Sequence, residues 1–205
     1  MEEIIEYIKQ KYDPAVLIVY GSYADGSDNE NSDFDAMIIV DNPPREHDSS
    51  VVKGVRLDLF IHGFGEFEHG IKCEDYPQLY DCIVLMDRDG FGERMKAEVI
   101  NYIENFPKKT REENSFHMSW CEKTLLRAKR GDAEGYFRWH WLLTDSLELY
   151  FDLCGKFYFG PKKSIAKMRN FDPYGTALYE KALSAMDYSA LENWIKYLRG
   201  KFDEQ

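Results

Sequence analysis

Val19-Tyr20-Gly21-Ser22, ten further residues, and then Asp33-Phe34-Asp35-Ala36 set two apolar strands around a polar loop. Upstream, Val16-Leu17-Ile18-Val19-Tyr20 is a short apolar, β-branched run of the buried-strand type, closed by the glycine. The segment from Asp25 to Ser32 is too hydrophilic for a core and reads as a loop, after which Phe34 to Val40 resumes as a strand that ends at Asn42-Pro43-Pro44. Working outward, Ile4, Ile5 and Ile8 share one helical face over residues 2–12, and Pro14 stops that helix. Val55 to Ile61 alternates as a third strand, with Arg56, Asp58 and Phe60 on one face and Val55, Leu57, Leu59 and Ile61 on the other. Ile83-Val84-Leu85-Met86 is a fourth apolar run, and Asp87-Arg88-Asp89-Gly90 is the turn that follows it.

From about Gly92 the period becomes helical and stays so to the end, with breaks near Pro107, Gly131, Gly155 to Pro161 and Asp172-Pro173. The expected fold is therefore α+β: a first domain over 1–107 with a mixed sheet and flanking helices, then an all-α bundle over 108–205. The helix over 134–154 carries Arg138, Asp145, Glu148 and Asp152 on one stripe among large apolar residues, which places it at the centre of the bundle.

Composition narrows the function. The chain of 205 residues is 44% hydrophobic and 31% charged, and its net charge is -11. That charge repels phosphate backbones and argues against a general nucleic-acid binder. Residues 1–107 hold nine basic and 23 acidic side chains, residues 108–205 hold 17 and 14, so the two halves differ in sign. No stretch approaches the roughly 18 apolar residues of a membrane span, and the acidic start is the wrong sign for a leader, so a cytoplasmic protein is expected. The four cysteines form no Cys-x-x-Cys pair and read as reduced thiols.

The chemistry concentrates in the opening stretch. A glycine directly after a strand lets the backbone approach a ligand closely, and Ser22 adds a hydroxyl and an N–H at a helix start that would face an anion. Asp33 and Asp35, at i and i+2, point to the same face, and Asp58 on another strand completes an all-oxygen set. Such a set suits hard Mg²⁺ or Mn²⁺ and does not suit zinc. Three gathered carboxylates repel one another unless cations are bound or their pKa values rise, and charges inside a buried strand are costly unless paired.

In this order, the strand, Gly-Ser, a spacer of about ten, Asp-x-Asp and a third Asp resemble the nucleotidyltransferase superfamily related to DNA polymerase β. The resemblance covers roughly residues 15–62. It implies that Gly21 and Ser22 cradle the phosphates of an NTP, ATP being the expected one. It further implies that Asp33 and Asp35 bridge two metal ions and that Asp58 binds the catalytic metal and helps deprotonate an acceptor hydroxyl. The helical second half is similar in size to that of small enzymes that adenylylate aminoglycosides or lincosamides. Asp145 and Glu148 are then candidates for holding a basic small-molecule acceptor, with Asp152 beside them. Adenylylation of a protein or RNA end, as in toxin–antitoxin modules, and a non-catalytic nucleotide-binding module are the alternatives. A homodimer stays open.

Other signals are weaker. The acidic loop has no EF-hand register, and no Gly-x-Gly-x-x-Gly occurs. Arg111 and His117 match a loose ribonuclease spacing that chance explains better. His47, His62, His69 and His140 read as surface or packing residues. Lys162, Lys163, Lys123, Arg127 and Lys129 are the expected positive charges for a triphosphate.

Overall fold

Val16–Val19 (β1) is buried at all four positions because it runs through the middle of a sheet, with a paired strand on each side. The computed structural model describes every residue, Met1–Gln205, and separates them into two units, Met1–Asn105 and Phe106–Gln205. In the first, α1 (Glu2–Tyr12) leads into β1, and a one-turn helix α2 (Ser22–Asp25) follows it. Then come β2 (Phe34–Val40), two short strands β3 (His47–Asp48) and β4 (Val51–Val52), β5 (Val55–Gly63), β6 (Ile83–Asp87) and α3 (Phe91–Glu104). The sheet order is β3-β5-β2-β1-β6, with β4 pairing only to β5. β1 is antiparallel to β2 and β6, whereas β2 and β5 run parallel, so the sheet is mixed as the sequence predicts.

Alternation divides the sheet into two faces. Leu17, Val19, Phe34, Ala36, Ile38, Leu57, Leu59 and Ile61 pack with Ile4 and Ile8 of α1 into one core. Asp35 and Asp58, at the alternate positions, lie on the other face. At about 25 cal/mol per Å², each fully buried Leu or Ile in that core contributes roughly 1.5–3 kcal/mol, which is why the apolar pattern fixes which way each strand faces.

The β4–β5 hairpin turns on Lys53-Gly54, both with positive φ (53° and 87°), between the pair Val52 and Val55. That is the twist a two-residue hairpin demands, and glycine at the second place meets it without strain. Beside this hairpin, Asp48 is buried to 1% exposure and accepts hydrogen bonds from Lys11 Nζ (2.8 Å), Tyr12 Oη (2.6 Å) and Ser50 N (3.0 Å). Burial pushes its carboxyl up, but the bonds from Lys11, Ser50 and Tyr12 outweigh it and hold the group well below the usual carboxylate range. A carboxyl lowered by folding stabilises fully above its unfolded pKa and loses that contribution as pH falls toward the folded value. We expect Asp48→Ala to cost about 3 kcal/mol at neutral pH, the usual penalty for orphaning a buried partner. The gap to wild type should narrow by about 1 kcal/mol at pH 3, one pKa unit below the unfolded carboxyl. Urea melts of both proteins at the two pH values check this; a gap that widens on acidification contradicts it.

The second unit is helical throughout: α4 (Arg111–Ala128), α5 (Ala133–Leu153), α6 (Pro161–Phe171), α7 (Pro173–Ser184) and α8 (Tyr188–Asp203). Each break has a chemical cause. Thr110 and Glu113 form a reciprocal capping box at the start of α4, Asp132 caps α5 through Gly135 N, and Asp172 caps α7 through Gly175 N. Leu142, Leu147, Leu149, Tyr150 and Phe151 of α5 are buried against Trp194 and Leu198 of α8, so α5 is central to the bundle as expected. It is not apolar-buried all round, however: Phe137 is 63% exposed and Trp141 39%. No helix is long and apolar enough to cross a membrane.

Candidate active site

The chain leaves β1 at Tyr20, whose N–H donates to Asp35 O (3.1 Å), and bends at Gly21 with φ 68° and ψ -151°. That conformation is almost confined to glycine. It also brings the bend against β2: a Cβ on Gly21 would lie 2.1 Å from Asp35 Oδ2. The carbonyl of Gly21 accepts from Ala24 N and Asp25 N, which closes the single turn of α2. Ser22, the first residue of that turn, is 6% exposed. The helix expected after the bend is thus only four residues long, too short for a developed macrodipole.

Asp35 and Asp58 are direct partners in the parallel β2–β5 register, so their side chains stand on neighbouring strands and on one face, about 4.8 Å apart at the backbone. Tyr20 reports on both: burial first, then the charges of Asp58 and Asp35, push its phenol up, so it stays protonated beside them. Asp33 falls just before β2 and is exposed. The Asp58 side chain is itself 42% exposed, so the expected cost of a charge inside a buried strand does not apply to it. Its Oδ1 is held at 2.7 Å by His47 Nε2, and the His47 ring leans on Phe60 (centroids 4.9 Å apart).

A family model described as a nucleotidyltransferase domain matches residues 1–115, which includes the bend, both strands and all three aspartates. The chain belongs to the nucleotidyltransferase domain family. Among solved structures it is similar to a nucleotidyltransferase-like protein from Exiguobacterium sibiricum 255-15, with 15% identity, a TM-score of 0.46, and coverage of 98% of this chain and 72% of that one. It is also similar to a toxin–antitoxin structure with AMP-PNP, at 14% identity and a TM-score of 0.33, over 50% of this chain and 86% of that one. No curated protein matches it.

For this nucleotidyltransferase domain the donor chemistry fits a hard divalent cation: the side chains around the bend offer carboxylate oxygens from Asp33, Asp35 and Asp58. The oxygens are not drawn together as a finished cage, since no three Asp, Glu, His or Cys side chains stand in metal-holding geometry. Asp35 and Asp58 share a face, Asp33 lies one residue outside the strand, and His47 occupies one oxygen of Asp58.

In the helical unit, Lys109 bonds Asp152 Oδ2 at 2.7 Å and reaches Glu148 Oε1 at 3.6 Å. Two members of the acidic stripe therefore already have a cation. Asp145 is half-buried on the same helix and lines a cavity with Trp141 and His117.

Two neighbours of the site escape the sequence pattern. Tyr20 reads as the last residue of a strand, and His47 as a surface residue in a polar stretch. The Val51-Val52-Lys53-Gly54-Val55-Arg56 run is the signal for the hairpin that carries His47 in, because a glycine at the second turn position between β-branched residues marks a two-residue loop.

Proposed function

We propose that the chain transfers a nucleoside monophosphate from an NTP, with ATP the expected donor, to a hydroxyl of a small molecule and releases pyrophosphate. The supporting observation is the meeting of the Gly21 bend with Asp35, and of Asp35 with Asp58, on one face of the sheet. Gly21 and Ser22 receive the phosphates through backbone N–H groups and a hydroxyl, which can follow the α-phosphorus without a side chain in the way. Asp33, Asp35 and Asp58 are the residues that would hold Mg²⁺ or Mn²⁺, which supplies charge neutralisation at the phosphates and the leaving group. Asp58 offers Oδ2 to the acceptor hydroxyl while His47 fixes Oδ1, so the carboxylate is oriented before the acceptor arrives. The acceptor oxygen bonds to the α-phosphorus, the bond from that phosphorus to the pyrophosphate oxygen breaks, and the hydroxyl proton passes to Asp58. The first unit carries this chemistry, and the helical unit, through Asp145 and its surroundings, recognises the acceptor.

Calorimetry tests the metal–nucleotide part. Mg²⁺-dependent ATP binding should weaken by roughly tenfold or more in an Asp33→Ala, Asp35→Ala double variant, the loss expected when charge-assisted contacts are removed. Equal binding in both proteins rejects the assignment. Incubation with labelled ATP, a lysate and a small-molecule library tests the acceptor, and label on protein or RNA alone overturns the small-molecule version.

A further inference from the structure

In the helical unit a cavity of about 580 Å³ opens between α4 and α5, walled by Phe116, His117, Trp120 and Trp141 with Asp145 among them. The rings are arranged as a partial cage: Trp120 and Trp141 meet edge to face with centroids 5.1 Å apart, and His117 lies 6.1 Å from Trp120. Phe116 at the rim is 80% exposed. Aromatic faces carry negative quadrupole charge, and a ring of them favours an organic cation over a neutral body of the same shape.

The ionic surroundings point the same way. Lys109 at the cavity edge stands among four carboxylates, Glu113, Asp145, Glu148 and Asp152, although residues 108–205 as a whole carry more basic than acidic side chains. Glu113 is occupied as a helix cap by Thr110 N (2.7 Å) and Oγ1 (2.8 Å), and Lys109 holds Asp152 and Glu148. Arg138 lies 5.4 Å from the Trp141 ring but is tied back to Glu134 at 3.7 Å. That leaves Asp145, which lines the cavity, as the one of the four carboxylates with neither an ion pair nor a helix-capping bond; its side chain accepts from the Trp141 N–H. Burial pushes its carboxyl up, partly offset by His117 and the Trp141 N–H, and burial followed by Lys109 pushes the His117 imidazole down against the pull of Asp145, Asp152 and Glu148. A cation beside Asp145 restores what burial has removed.

We propose that this cavity binds an amphipathic organic monocation, with its ammonium group between Asp145 and the indoles of Trp120 and Trp141, and that this molecule is the acceptor. The acceptor role rests on the nucleotidyl-transfer reading above; the binding does not. A polycation of aminoglycoside type is disfavoured because Glu148 and Asp152 are already neutralised from within, which leaves one carboxylate for one ammonium. The volume lies in the range of small-molecule sites, and its walls are mostly apolar, so the body carrying the ammonium is apolar too.

The four tryptophan indole N–H signals in a two-dimensional NMR spectrum of the full chain provide the test, with choline as probe and 3,3-dimethylbutan-1-ol as its uncharged isostere. Choline should shift the Trp120 and Trp141 signals saturably and leave those of Trp139 and Trp194, which are buried in the bundle, in place. The isostere should bind roughly tenfold more weakly, and Asp145→Asn and Trp141→Leu should each weaken choline binding by roughly the same factor. Asp35→Asn should bind choline as wild type does. Equal affinity for choline and its isostere, or an unchanged response in Asp145→Asn, overturns the proposal. Choline binding with no transfer to any cation removes the transfer reading and leaves the site; transfer of labelled nucleotide with no cation binding removes the site and leaves the transfer.

Discussion

Asp35→Asn is expected to abolish nucleotidyl transfer, by about 10³-fold or more, with the fold intact. The substitution keeps the shape of a side chain on β2 and removes only its charge. Asp35 is the carboxylate that touches both halves of the site, since Gly21 packs against its Oδ2 and Asp58 stands opposite it in register. Losing one carboxylate that would hold the cation neutralising a transferring phosphoryl group costs several kcal/mol, and each 1.36 kcal/mol is tenfold in rate. Asp58→Asn should behave alike, while Asp33→Asn, outside the strand and exposed, should cost less. Product formation from labelled NTP gives the rates, and thermal melts followed by circular dichroism verify folding. An Asp35→Asn rate within tenfold of wild type would remove Asp35 from the reaction.

Gly21→Ala should damage stability and nucleotide binding together. At φ 68° and ψ -151° any side chain is strained by about 1–3 kcal/mol. The new methyl would in addition meet Asp35 Oδ2 at 2.1 Å, so either the bend or the carboxylate must move. We expect roughly 3 kcal/mol of destabilisation confined to residues 1–105, and nucleotide affinity reduced well beyond that of Ser22→Ala, which removes one hydroxyl and should cost about 2 kcal/mol of binding, typical of a hydrogen bond to a charged group. Hydrogen exchange locates the first effect and calorimetry measures the second. An alanine variant as stable as wild type would mean the bend is not held as described.

The sheet was legible because its central strands carry continuous buried apolar runs: Val16–Val19 and, after Asp35, residues 36–40 could hardly be anything else at those lengths. Alternation in Val55–Gly63 assigned Leu57, Leu59 and Ile61 to the core and Phe60 to the outside, where it is 43% exposed. What periodicity cannot give is the neighbour across a gap. The His47–Asp58 bond depends on a two-residue strand too short to have a pattern, and the Lys109–Asp152 bond joins residues 43 apart. The same limit hid the cavity. His117 looked like a chance match because the rings that surround it, Trp120 and Trp141, sit on two helices, and a helix period says only that each has an apolar side. Asp58 looked buried because its sequence neighbours are apolar, yet its own face of β5 is partly open.

The most direct test is the stoichiometry of transfer. With Mg²⁺, α-labelled ATP and a hydroxylated organic cation, wild-type protein should release pyrophosphate and form labelled adduct in equal amounts, and an Asp35→Asn, Asp58→Asn double variant should form neither. Adduct and pyrophosphate appearing at the same rate from both proteins would contradict a reaction centred on these carboxylates.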